Sequence, residues 1–231
     1  MKNLNIFSLI TEYDNAKSGG GVLNKPNVSF VNEDSSVRYL VDLTHNGYEY
    51  VDLGLSVKWA TCNVGATSPE QTGLYFAWGE TTGYTADQIP EVRAFIEDVY
   101  YLSSAALISA DLTLEQDAAH VNLGGNWRMP TKAEYLELLD NCDTVWTDNY
   151  NETGMTGQVF TSKVNGNSVF FPAAGLCNEN SPVKLVGSQG NYWGASYTDN
   201  NFACCMYFGD SGKYIGDDGR FCGYSVRGVF K

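Results

Sequence analysis

Residues 189–230 constrain the fold most, because they mix two kinds of position that no regular element explains alone. Trp193, Ser196, Ala203, Phe208, Gly212, Arg220, Gly223 and Ser225-Val226-Arg227 read as a fixed frame. Between them stand Tyr197, Asp199, Asn200, Asn201, Cys204, Cys205, Tyr207, Asp210, Tyr214, Asp217, Asp218, Phe221, Cys222 and Tyr224. The mixture has no helical period and no strand period, so it predicts glycine-rich loops and short strands held on a scaffold built elsewhere. Tyrosine offers large rigid contact area at low entropy cost, and Asn, Asp, Ser and Gly offer adaptable hydrogen bonds. The composition suits a binding surface. It does not suit an active site, where a few groups converge on one reacting atom.

The rest of the chain must therefore supply the scaffold. With 231 residues there is enough chain for one large domain with an appendage. Aromatic content of 13% points to a packed core rather than disorder. A net charge of −13 with no Lys/Arg cluster excludes nucleic acid as the expected partner, and it disfavours an anionic membrane surface. No run of about twenty apolar residues exists to span a bilayer. The first ten residues carry a broken apolar run followed by Glu12 and Asp14, so no signal peptide is expected and synthesis is assigned to a cytoplasm.

Cys62, Cys142, Cys177, Cys204, Cys205 and Cys222 form no C-x-x-C pair. Free thiols are the expectation, with a disulfide among the last three open if the protein reaches an oxidising space. Zinc is not expected, since neither His45 nor His120 lies near a cysteine pair. His120 has no triad-like partner and reads as structural. Asp199-Asn200-Asn201 and Asp217-Asp218 offer oxygen ligands of the kind calcium takes, but solvated loop carboxylates are the commoner case, and no metal or other cofactor is assigned.

Along the chain, residues 1–47 form an N-terminal segment and residues 48–231 the main domain. Residues 18–21 are a glycine-rich break. Strands over 27–31 and 37–41 flank a polar turn, predicting a hairpin too small to stand alone. In the main domain, residues 50–55, 57–64 and 74–79 read as strands. Val92, Phe95, Ile96, Val99, Leu102 and Ala106 recur at helical spacing and predict a helix over 91–110. Thr113 and Gln116 form a capping box for a short helix reaching Val121. Thr131 and Glu134 form a better one, for a helix reaching about Asn141. Residues 158–164 and 168–172 predict a hairpin about Asn165-Gly166-Asn167. Helices set among mostly antiparallel short strands make the class α+β. Trp59, Trp78, Trp127, Trp146 and Trp193 are read as packing residues, and Arg128 and Arg227 as partly buried and paired.

Asn126-Trp127-Arg128-Met129-Pro130-Thr131-Lys132-Ala133-Glu134-Tyr135 is similar to the W-R-[LM]-P-T-x-x-E-[WFY] signature of the formylglycine-generating-enzyme branch of the C-type lectin fold. Ser225-Val226-Arg227 resembles that branch's terminal strand. Residues 50–55, 59–66 and 75–80 resemble a paralogous domain abundant in Bacteroides-type and Fibrobacter-type bacteria and their phages. The resemblance covers roughly residues 48–230, and the segment 91–110 departs from its pattern.

The resemblance implies a C-type lectin-like fold but no single activity. One branch member is an oxidase that holds copper with a cysteine pair near the C-terminal end. Another is the variable protein of a diversity-generating retroelement, which uses that end as a hypervariable ligand surface. Residues 191–224 look like the second. There, randomised adenines in AAC and AAT codons exclude Glu, Gln, Lys, Met and Trp from variable positions, and this stretch holds only Trp193, Met206 and Lys213 from the excluded types. Trp193 and Met206 fit the frame; Lys213 does not.

The expected ligand-binding set is accordingly Gly194, Tyr197, Asp199, Asn200, Asn201, Cys204, Cys205, Tyr207, Gly209, Asp210, Tyr214, Gly216, Asp217, Asp218, Phe221, Cys222 and Tyr224, on a frame of Trp127, Arg128, Trp193 and Arg227. The implied function is non-enzymatic recognition of a cell-surface protein or glycan. The implied setting is a phage or virion, with homo-oligomerisation through the N-terminal segment. A non-diversified adhesion or structural domain is the alternative, followed by the copper oxidase.

Overall fold

The computed structural model describes the backbone of 30–33 and 36–39, and residues 43–92, 94–178 and 181–231. The chain divides into two compact units, Met1–Leu43 and Thr44–Lys231. In the first, strands β1 (Phe30–Glu33) and β2 (Ser36–Tyr39) pair antiparallel, from Phe30 with Tyr39 to Glu33 with Ser36. The strands thus extend into the stretch expected to be the turn. Residues 27–29, 40–41 and the glycine run 18–21 lie outside the described residues.

The second unit begins inside the segment expected to precede the main domain. β3 (Thr44–His45) turns through Asn46-Gly47 to β4 (Tyr48–Val51). Both turn residues take positive φ, 49° and 82°, as a two-residue Asn-Gly hairpin turn requires. β4 pairs with β5 (Lys58–Asn63), and β5 with the C-terminal strand β14 (Arg227–Phe230). The third expected strand is only β6 (Tyr75–Phe76).

A five-stranded sheet is the centre of this second unit, in the order β12 (Gly212–Gly219), β11 (Phe202–Gly209), β10 (Gln189–Tyr197), β13 (Tyr224–Ser225), β6. Alternation along its strands divides the core. Trp193, Cys205 and Tyr207 enter one apolar cluster, with Trp78, Phe95, Tyr100, Trp127 and Tyr224. Tyr192, Met206 and Phe208 enter the other, with Trp59, Phe160 and Phe171. That second cluster is closed by helix α3 (Lys132–Asn141) and by the sheet β7 (Cys142–Tyr150), β8 (Met155–Ser162), β9 (Ser168–Pro172). Mostly antiparallel strands with a few helices are consistent with the α+β class.

The helix expected over 91–110 does not form. In its place are a 3₁₀ turn at Ile89–Glu91, a four-residue helix α1 (Glu97–Tyr100) and a 3₁₀ turn at Ser104–Leu107. The buried residues there are Phe95, Tyr100, Ala105 and Ile108, a spacing that no helix face provides, while Leu102 and Leu107 are 88% and 82% exposed. Main-chain carbonyls of Ala105 and Ile108 are turned to the Arg220 guanidinium. The Thr113–Gln116 capping box is present but opens only a 3₁₀ turn. Asp117 then caps a separate helix, α2 (Ala118–Leu123), accepting from His120 N at 2.9 Å and Met129 N at 2.7 Å.

Helix α3 follows its sequence signals closely. Thr131 Oγ1 accepts from Glu134 N, and Glu134 Oε2 accepts from Thr131 N at 2.8 Å. Arg128 closes a bidentate pair on Glu134, at 2.8 and 2.5 Å. Burial works to raise the Glu134 carboxyl, but the hydrogen bonds from Arg128 and Thr131 outweigh it and hold it below the usual range. A depressed carboxyl stabilises the fold above its unfolded pKa, and that stability is lost as pH falls through the folded value. Glu134→Gln is therefore expected to cost about 2 kcal/mol at neutral pH, with the gap to wild type closing as the solution is acidified. Denaturant titrations of both proteins between pH 7 and 3 check this.

Candidate functional site

The candidate site is built on β10, β11 and β12, whose lengths exceed the short strands expected here. Glycines permit close packing: a Cβ on Gly190 would lie 2.0 Å from the Phe208 ring. β11 is buried on both faces from Ala203 to Phe208, which hides the polar–apolar alternation from the sequence. Cys204 and Cys205 consequently point to opposite faces, both buried.

The β10–β11 turn exposes Thr198, Asp199, Asn200, Asn201 and Phe202. Asp199 Oδ1 accepts from the amides of Asn201 and Phe202, at 2.7 and 2.8 Å, fixing the turn from within. Tyr197 donates its hydroxyl to Asn200 Oδ1 at 2.8 Å, and Asp111 Oδ1 accepts from Tyr197 N. Tyr101 donates to Asn201 Oδ1 at 3.3 Å. Arg220 Nη1 donates to Asn200 O at 3.1 Å. The irregular segment around 100–111 thus buttresses the turn, a role invisible at the level of local spacing.

On the opposite end, Asp210 and Ser211 form the two-residue turn between β11 and β12, with Gly209 opposite Gly212. Tyr214 on β12 is 60% exposed and is the outermost ring of an aromatic series. It stacks on Tyr207 at 5.0 Å, Tyr207 meets Tyr224 edge-on at 6.2 Å, and Tyr224 stacks on Trp193 at 4.4 Å. Asp218 accepts from the hydroxyls of both Tyr207 and Tyr224. Burial pushes both phenols far above the ordinary tyrosine range, and nearby Cys205 and Cys222 add to the shift. Both therefore stay protonated donors and act as structural supports. A shallow open groove of about 470 Å³ runs beside this hairpin, between Tyr214 and Leu185.

Exposure sorts the expected ligand set. Asp199, Asn200, Asn201, Asp210, Tyr214 and Asp217 are exposed, and Tyr197, Gly209, Gly216, Asp218 and Phe221 are half-buried. Gly194, Cys204, Cys205, Tyr207, Cys222 and Tyr224 are buried and do not present a side chain to a ligand in this conformation. Thr198, Phe202 and Ser211 have the same residue character and were missed, because only their place in the turns exposes them. Leu185 and Tyr101 lie outside the 191–224 stretch and are joined to it by tertiary packing alone.

The frame residues Trp127, Trp193 and Arg227 are fully buried. Arg227 departs from the expected ion pair. Its guanidinium is held by neutral groups: Asn63 Oδ1 at 2.7 and 2.9 Å, and the carbonyls of Ala60 and Thr61 at 2.9 Å. Burial pulls its pKa down from the usual arginine range.

All six cysteines are free. Burial pushes the Cys142 thiol up to about 11 and the Cys177 and Cys204 thiols up to about 12. Such thiols are poor nucleophiles and poor sources of thiolate ligands at neutral pH. Among the described residues no three His, Cys, Asp or Glu side chains cluster as a metal site. No helix among them is long and apolar enough to cross a membrane. Comparisons with family models, curated proteins and solved structures find no match for this chain.

Proposed function

We propose that this protein recognises a macromolecular ligand through the C-terminal sheet of a C-type lectin-like domain, and that a retroelement diversifies this surface. The ligand is a cell-surface protein or glycan, bound noncovalently. One observation carries the reading. The exposed side chains of 191–224 gather on two tight turns and one outer strand, while the strands beneath are locked by buried Trp193, Arg220 and Arg227. A surface of this kind can exchange side chains without refolding.

The burial of Cys204, Cys205, Tyr207, Cys222 and Tyr224 narrows the exchangeable set and favours, at those positions, the alternative of a fixed adhesion domain. The two readings separate by sequencing the 3′ end of the gene across a natural population. Diversification predicts adenine-derived substitutions at Thr198, Asp199, Asn200, Asn201, Phe202, Asp210, Ser211 and Tyr214. Substitutions spread evenly along the chain would remove it. The same division is expected in stability. Tyr214→Ala should cost about 1 kcal/mol or less, whereas Tyr207→Ala should cost about 3 kcal/mol, measured by chemical denaturation.

A further inference from the structure

We propose that β12 is a self-pairing strand through which two copies of this chain associate, about a two-fold axis at Ile215. β12 is the terminal strand of the five-stranded sheet, and nothing among the described residues pairs with its outer edge. It is eight residues long, contains no proline and pairs with β11 in unbroken register from Phe202–Gly219 to Gly209–Gly212. A straight, unbulged edge of this length invites another strand.

The register follows from the turn. Gly209 and Gly212 close a two-residue hairpin, so they form a hydrogen-bonded pair, and the alternation runs through Tyr207–Tyr214, Cys205–Gly216 and Ala203–Asp218. The intervening residues Lys213, Ile215 and Asp217 must then turn their N–H and C=O groups to the free edge. An antiparallel copy bonds best when these outward residues face each other. Among the symmetric registers that do this, only the one centred on Ile215 sets Lys213 opposite Asp217 of the second copy, and it does so twice.

The charges are positioned for this. Lys213 Nζ reaches Thr144 Oγ1 at 2.7 Å, which uses one of its three donors. Asp217 meets Thr198 and Lys132 through Oδ1, leaving Oδ2 for another cation. Charge self-complementarity selects a second copy over an unrelated strand. It also gives a role to Lys213, the residue that codon arithmetic left unexplained.

Sedimentation equilibrium of the full chain over low to high micromolar concentrations tests this. Wild type is expected to form a dimer that weakens with salt. Lys213→Asp and Asp217→Lys should each weaken it at least about tenfold, by placing like charges opposite each other at both symmetric positions. The double variant Lys213→Asp/Asp217→Lys should recover to within about threefold of wild type. Circular dichroism checks that each variant folds. Where a reversal does not fold, Lys213→Gln and Asp217→Asn take its place and should weaken the dimer and reduce its salt dependence. A monomeric wild type, single variants that dimerise normally, or a double variant no stronger than the singles would each overturn the proposal. None of these outcomes depends on ligand binding.

Discussion

Arg220→Ala is expected to destabilise the protein by about 3–5 kcal/mol, the largest effect of any single polar substitution considered. The guanidinium is fully buried. It donates to Tyr100 Oη at 3.2 Å, Ile108 O at 3.0 Å and Asn200 O at 3.1 Å, and it also reaches Ala105 O. Its plane lies over Trp78, 4.5 Å from the ring centre. Truncation leaves several carbonyls in a dry interior, each at a cost of about 1–3 kcal/mol, and opens a cavity beside Trp78. The loss should be local before it is global. Faster hydrogen exchange at the amides of Asn201 and Ile108 should appear under conditions where the Tyr135 amide, in α3, stays protected. Uniform exchange across the domain would show that Arg220 does not tie the turn to the 104–108 segment.

Arg227→Met is expected to cost about 2–4 kcal/mol, somewhat less, because two terms oppose. Methionine fills much of the space and removes the desolvation that lowers the guanidinium pKa. It also leaves Asn63 Oδ1 and the carbonyls of Ala60 and Thr61 without their donor, and removes the cation from above the Phe171 ring, 4.3 Å away. The unmade hydrogen bonds should prevail, since each buried acceptor otherwise loses water without replacement. Arg227→Lys should not rescue, because one ammonium cannot reproduce a planar fork that serves three groups. Urea titrations of the two variants measure this. Equal stability of either variant with wild type would show that the buried cation is dispensable to the sheet.

Glu134→Gln belongs to a different kind of site, and the contrast shows what sequence can reveal. Its partners Arg128 and Thr131 lie within six residues, so the motif and its bonds are local and legible. The same holds for the Asn165-Gly166-Asn167 turn, where Gly166 takes φ 77° between β8 and β9. It holds for Trp193, whose burial could be read from its place among small and polar neighbours.

Other features depended on residues far apart in the chain. Phe95, Tyr100, Ala105 and Ile108 pack inward without helical spacing, because Arg220, more than a hundred residues later, takes the carbonyls of Ala105 and Ile108. Local apolar spacing therefore predicted a helix that the tertiary contacts replaced. Cys205, Tyr207 and Tyr224 carry binding-surface chemistry in composition, yet Asp218 and Trp193 hold the two tyrosines inward as the floor of the site. The capping boxes, the Asn165-Gly166-Asn167 turn, the α+β class and the residue types of the last forty positions were legible in the chain alone. Those are set by backbone preferences and hydrogen bonds spanning a few residues. Which of those positions face solvent, and which edge of the sheet is unpaired among the described residues, is set by long-range packing. Burial on both faces of β11 erases the alternation that would have announced it, and a strand becomes an edge only when no other part of the chain pairs with it.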